Sequence, residues 1–213
     1  AHDEFVLEKQ LNYLATEKEP FFSVLLTLST HEPFEVPAPT PFHKNSEPEQ
    51  FKKSAWYTDN CLGTYFKKIQ KMPWFNNTIF ILLADHGHRL PLNRDYFDPS
   101  ARKIPFLIWS PLLKPELRGS VNSSISGQHD VASTLLNILD LPADKFEWSN
   151  NMLDQNRNHF AYLSLDNAVT WIDDSTVVTL PLEAGLPGYN QESASQMIVK
   201  AYLQHLYSTF LAY

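Results

Sequence analysis

A chain of 213 residues has room for one large α/β domain, or for one and a half small ones. Its net charge of −7 argues against nucleic acid as a partner, which rewards basic surfaces, and its one cysteine, Cys61, rules out an intrachain disulfide and a thiolate metal cluster. No apolar run approaches the ~20 residues that span a bilayer and no signal peptide leads the chain, so a membrane enters only through segments of a longer parent.

The chain opens in mid-pattern, with Phe5, Val6, Leu7, Leu11 and Leu14 at helical spacing. This reads as an amphipathic helix over Asp3–Thr16 and as the start of an excised domain or half-domain. Pro20 disfavours helix in the residue before it. Phe21–Leu28, FFSVLLTL, then reads as a buried strand that ends in the polar residues Ser29, Thr30, His31 and Glu32. Residues Pro33–Pro48 are proline-rich and aperiodic, and predict a long surface loop of the functional or mobile kind. Ser46 and Glu49 have capping-box spacing. The helix they introduce places Phe51, Ala55, Thr58, Leu62, Tyr65 and Ile69 on one face, with Lys52, Lys53, Lys67, Lys68 and Lys71 mostly off it as solvated charge.

The next stretch, Thr78–Arg89, organises the chain. Ile79, Phe80, Ile81, Leu82 and Leu83 form a continuous apolar run that switches abruptly to Asp85-His86-Gly87-His88-Arg89. Such a run reads as a buried parallel strand ending in a functional turn. Ile104–Trp109 is a second short run whose Pro105 marks a strand start or edge. Asp130–Leu141 follows as a helix with Val131, Leu135, Ile138 and Leu139 inward. Beyond it the pattern changes. Phe160–Leu165, Ala168–Ile172 and Thr176–Leu180 are short strands separated by the turn formers Asp166-Asn167 and Asp173-Asp174, an antiparallel meander in which Trp171 packs. Asn190 is a plausible N-cap for a last helix that uses Met197, Ile198, Ala201, Leu206 and Phe210. The order predicts an α/β fold: a mostly parallel sheet flanked by helices over residues 1–142, then a small antiparallel meander and final helix over 143–213.

Ligands of open α/β sheets sit outside the carboxyl ends of the strands, which is where Asp85 and His86 lie. A carboxylate beside an imidazole suits Zn²⁺ or Mn²⁺. The dipeptide fits a buried Asp–His hydrogen-bonded pair without metal equally well. His31 follows a strand end too, and can project to the same edge to hold an oxyanion oxygen or act as a general acid. Arg89 can fork onto an oxyanion or pair with Asp95 or Asp98. His88 shares the turn, and His129 stands at a helix start favourable to anions. No nucleophile elbow, P-loop or Gly-rich dinucleotide turn occurs, so the chain reads as part of a larger catalytic domain.

Five segments in one order carry a resemblance: Leu25–Phe34 (LLTLSTHEPF), Tyr57–Lys68 (YTDNCLGTYFKK), Asn77–Gly87 (NTIFILLADHG), Lys103–Pro111 (KIPFLIWSP) and Gly127–Leu139 with its Gly-Gln-x-Asp start. Together they resemble the sulfatase branch of the alkaline phosphatase superfamily, and within it the lipoteichoic acid synthase and phosphoglycerol transferase group. The resemblance implies an alkaline phosphatase-like fold, present in part. It implies that Asp85 and His86 are two ligands of a catalytic divalent ion (Mn, Zn, Mg or Ca), incompletely held by this chain alone. His31 would contact the phosphate or sulfate of an ester substrate, with Arg89, His88 and His129 as further candidates. The nucleophile and first acidic ligand would lie upstream, in the remainder of the same catalytic domain, leaving no catalytic nucleophile here and the chain alone inactive. The implied activity is phosphoglycerol or phosphoethanolamine transfer to a cell-envelope lipid or glycan, with sulfate ester hydrolysis as the alternative. A non-catalytic binding or scaffold domain on the same fold is the alternative of another class. The implied location is extracytoplasmic, periplasmic or cell-surface, on a membrane-anchored parent.

Overall fold

The computed structural model of the chain describes residues 1–37, 39–43, 45–184 and 193–212. They divide into two compact units, Ala1–Arg118 and Gly119–Tyr213. This division falls earlier than residue 142, where the sequence pattern changes, so the helix after Asp130 belongs with the meander.

In the first unit, helix α1 (Asp3–Leu14) buries Leu7, Leu11 and Leu14, three residues at the spacing of one helical face. They pack against Tyr65 and Ile69 of helix α2 (Glu47–Ile69) and against Trp74 and Phe75 just beyond it. The Trp74 indole N–H donates to the Leu14 carbonyl at 3.1 Å, which closes the end of α1 onto the core. The buried face of α2 is rotated from the expected one: Ser54, Tyr57, Tyr65 and Ile69 are buried, whereas Ala55 is exposed. Thr58 explains part of the turn, because its hydroxyl is drawn to Asp3 at 2.6 Å. The lysines behave as solvated charge: Lys52 pairs with Glu49 at 2.8 Å and Lys68 with Glu8. Ser46 occupies the N-cap position, but its side chain makes no capping bond, and the Glu49 carboxylate reaches forward to Lys52. The capping box is therefore not formed.

Strand β1 (Phe80–Leu83) pairs with strand β2 (Phe106–Trp109), Phe80 opposite Trp109 and Leu83 opposite Phe106. The pairing is antiparallel, as are all ladders among the described residues. This corrects the parallel pairing expected for the central strand. Phe21–Leu28 carries no ladder among the described residues. A continuous apolar run needs cover on both sides, and here only one side has it. Phe21 and Leu25 pack on the core, while Phe22, Val24, Leu26 and Leu28 are exposed by 80, 79, 65 and 55%.

In the second unit, a 3-10 turn (Gln128–Asp130) leads into helix α3 (Val131–Ile138). Strands β3 (Phe160–Ser164), β4 (Ala168–Asp173) and β5 (Val177–Pro181) form the expected antiparallel meander in the order β3-β4-β5. Trp171 packs as expected, stacked on the Phe160 ring at 4.3 Å. Helix α4 (Ala194–Leu211) lays Val199 against Val169 and Leu180. Its cap is Ser193, whose hydroxyl accepts from the Gln196 N–H. Asn190, the expected cap, lies outside the described residues.

Candidate functional site

Asp85 and His86 follow β1 directly, on a turn that leaves both side chains about two-thirds exposed. Each is anchored by one atom and open at the other. The Asp85 Oδ1 accepts the His86 backbone N–H at 2.9 Å, which leaves Oδ2 clear. The His86 Nδ1 lies 2.9 Å from the Gly87 carbonyl oxygen. A carbonyl only accepts, so Nδ1 carries the hydrogen, and Nε2 of the neutral ring presents a lone pair. Asp85 Oδ2 and His86 Nε2 stand 3.8 Å apart. Two ligands of one ion are separated by roughly 3–4 Å when each bond is about 2.0–2.2 Å long. Backbone anchoring of the far atom is also how metal-binding histidines are held in their tautomer. The donor set therefore fits two ligands of a divalent cation. Among the described residues no third His, Cys, Asp or Glu joins them.

Gly87 has a packing reason. A Cβ added there would sit 2.3 Å from the Ala101 carbonyl oxygen and 2.7 Å from Arg102 backbone atoms. The backbone of the 3-10 turn Pro99–Arg102 thus closes directly onto the residue whose carbonyl orients His86. Gly87→Ala must displace that turn or the Asp-His turn. We expect it to lower stability by about 2 kcal/mol or more, in the range of overpacked sites, and to weaken ion binding. Melting temperature and metal content, measured together, check this.

His31 is exposed, and its ring repeats the His86 arrangement: Nδ1 donates to the Glu32 carbonyl at 2.9 Å and Nε2 is left open. The loop beneath it hangs on Asp3, which sequence reasoning missed. Asp3 is fully buried at the start of α1. Its Oδ1 accepts the backbone N–H groups of Leu28 and Ser29, both at 3.0 Å, and its Oδ2 accepts the Thr58 hydroxyl. The His31 N–H in turn bonds to the Leu28 carbonyl at 3.0 Å. Burial pushes the Asp3 carboxyl up, but the Thr58 hydroxyl and the Ser29 and Leu28 N–H groups outweigh it and hold it below the usual carboxylate value. An acidic residue in a first helical turn reads as ordinary dipole complementation. Only the apolar residues that follow at helical spacing hint that this one points inward.

His88 is held differently. Its Nδ1 accepts the Leu90 N–H at 3.0 Å, so Nε2 carries the hydrogen and faces Glu32 Oε1 at 3.4 Å. It joins the loop of His31 to the turn of His86. Arg89 places one terminal nitrogen 3.2 and 3.0 Å from the two oxygens of Glu47. It does not take the expected partners, because Asp95 and Asp98 accept the backbone N–H groups of Phe97 and Ser100. His129 belongs to the second unit. Its Nε2 lies 3.4 Å from the buried Asp130 and its ring covers Gly127, where a Cβ would meet Cε1 at 2.3 Å. Asp130 itself accepts the Gly127 and Asn150 N–H groups and pairs with Arg157 at 3.2 Å. The chain's own carboxylate thus occupies the place where the sequence suggests an outside anion.

The family model for Sulfatase matches residues 1–141. The chain belongs to the sulfatase family. This sulfatase-family chain is 25% identical over 150 residues to lipoteichoic acid synthase 1 of Bacillus subtilis, which covers 62% of the chain and 23% of that relative. It is 24% identical over 187 residues to the lipoteichoic acid synthase-like YvgJ of the same organism, covering 79% of the chain and 30% of the relative. A crystal structure of an alkaline phosphatase superfamily protein from Vibrio parahaemolyticus superposes with a TM-score of 0.69 at 23% identity, over 93% of the chain and 51% of that protein. The lipoteichoic acid synthase LtaP from Listeria monocytogenes does so with 0.61 at 18%, over 91% and 54%. The fold is alkaline phosphatase-like α/β. The sulfatase-family chain spans about half the length of these solved relatives and about a quarter of the curated ones.

Proposed function

We propose that this chain is the C-terminal portion of the catalytic domain of a metal-dependent phosphoryl transferase. The enzyme would move phosphoglycerol or phosphoethanolamine onto a cell-envelope lipid or glycan. The observation that carries this reading is the pair of open donor atoms, Asp85 Oδ2 and His86 Nε2, 3.8 Å apart at a strand end in a sulfatase-family domain. The relatives named lipoteichoic acid synthases support the phosphoryl branch.

In this reading Asp85 and His86 hold a divalent cation. When bound, such an ion lowers the pKa of a coordinated hydroxyl and balances charge on the transferred group. His31, open at Nε2, binds an oxyanion oxygen of the substrate or protonates the leaving group. The nucleophile and the first acidic ligand belong to the rest of the protein, so the chain alone does not turn over. Among the described residues no helix is long and apolar enough to cross a membrane, and the reading places the domain outside the cytoplasm on an anchor supplied elsewhere.

The sulfatase family match keeps sulfate ester hydrolysis as the second reading. The full-length protein with Mn²⁺ separates the two. Release of diacylglycerol from phosphatidylglycerol, without release of nitrophenol from p-nitrophenyl sulfate, is expected. Release of diacylglycerol from phosphatidylethanolamine instead identifies phosphoethanolamine transfer, the reverse pattern establishes the sulfatase reading, and turnover of none of the three leaves a binding or scaffold domain.

A further inference from the structure

His88 is the one member of the Asp-His-Gly-His-Arg turn whose position the ion site and the Glu47 pair do not explain. Its ring is stacked on Phe51 of α2, centroids 5.2 Å apart and planes within 16°. The Phe34 ring meets its edge at 5.7 Å and 87°, and Phe34 packs the same way on Phe51 at 5.5 Å and 88°. Both ring nitrogens are engaged, Nδ1 by the Leu90 N–H and Nε2 by Glu32. Glu32 is the neighbour of His31, and His88 stands two residues from His86.

Phe34 adds a second, independent observation. It is 3% exposed and has φ +61°. A bulky residue in the left-handed region is strained and persists only where its surroundings over-determine it. Here the surroundings are Phe51 and His88. The N–H of this strained residue closes a turn onto the His31 carbonyl at 3.0 Å. The shape of the loop around His31 thus depends on the packing of Phe34, to which His88 contributes together with Phe51.

We propose that His88 is a positioning residue: packed against both Phe34 and Phe51 and facing Glu32 at 3.4 Å, it fixes the loop bearing His31 against the turn bearing Asp85 and His86. The proposal rests on the reading of His31 as the oxyanion-binding group. Its own nitrogens are both used, so His88 acts through His31 and not on the substrate.

The test is a mutant cycle in the full-length protein, with bis(p-nitrophenyl) phosphate as substrate and Mn²⁺ as the ion. Displacing a substrate-binding group by about 1 Å costs up to ~100-fold. His88→Ala is therefore expected to lower kcat/KM roughly 10- to 100-fold, mainly through KM, with Mn²⁺ content unchanged. Glu32→Ala should reproduce the loss with little folding cost, since that side chain is 59% exposed. His88→Gln, which keeps an N–H to offer Glu32, should recover most of it. In a His31→Ala background, His88→Ala should have almost no further effect, the signature of two residues acting as one. Full activity in His88→Ala, or losses that multiply in the double variant, overturn the proposal. If His31→Ala itself turns over normally, the reading of His31 fails. The ring ¹³C signal of His31 in histidine-labelled protein then decides: displacement by His88→Ala upholds the positioning role, and an unmoved signal overturns it.

Discussion

His86→Ala in the full-length protein is expected to lose its divalent ion and its turnover while melting within about 2–4 °C of the unaltered protein. The substitution removes two things of different size. For the fold, His86 contributes an exposed ring and one hydrogen bond to the Gly87 carbonyl. Removing both costs about 1 kcal/mol, the typical scale of point variants, which is a shift of 2–4 °C for a domain of roughly this size. For the site, the same ring offers one of the two open donor atoms, Asp85 Oδ2 and His86 Nε2, that stand together at the end of β1. Cation sites of this kind need about four ligands. Losing one removes the ion, and with it the charge balance of the transition state. Metal content and melting temperature, read on the same sample, separate the two effects.

Asp3→Ala is expected to act the opposite way, with a large loss of stability. It strips the acceptor from the Leu28 and Ser29 N–H groups and from the Thr58 hydroxyl, all converging on a fully buried carboxylate. Each buried donor left unsatisfied costs about 1–3 kcal/mol, so a total of roughly 3 kcal/mol or more is expected. Asp3→Asn, which keeps one oxygen for the two backbone N–H groups, should lose less. The sign of the pH dependence follows from the lowered pKa. The folded protein holds the carboxylate ionised at pH values where the unfolded chain, near 3.9, has taken up a proton. The stabilisation is therefore complete above about pH 4 and is lost as pH falls through the lower folded value. Urea unfolding at pH 7 and at pH 3 should show Asp3→Asn closing part of its gap to the unaltered protein in acid. A gap that is equal at both pH values contradicts the assigned ionisation.

Much of this was legible in the residues. The apolar spacing of Leu7, Leu11 and Leu14 reported α1 and its buried face, and Asp166-Asn167 and Asp173-Asp174 reported the meander turns to within a residue or two. The switch from Leu83 to Asp85-His86 reported where the donor atoms stand. Among the features that were not legible, three were decided by a long-range partner. The β1–β2 pairing is antiparallel, and a short apolar run such as Phe80–Leu83 reads alike in either direction. The inward turn of Asp3 depends on Leu28, Ser29 and Thr58, which are 25 to 55 residues away. His88 reads as a further candidate for contact with the substrate because of its place on the turn. The Leu90 N–H and Glu32 reverse its tautomer relative to His86, and no sequence pattern records that.

In the proposed function Asp85 and His86 share one divalent ion. Anomalous X-ray scattering from crystals of the full-length protein grown with Mn²⁺ tests it most directly. The expected result is a peak bonded to both Asp85 Oδ2 and His86 Nε2, at about 2.0–2.2 Å from each, and loss of that peak in His86→Ala. Crystals whose Mn²⁺ peak lies away from both atoms, or that bind no Mn²⁺ while the protein turns over phosphatidylglycerol, contradict it.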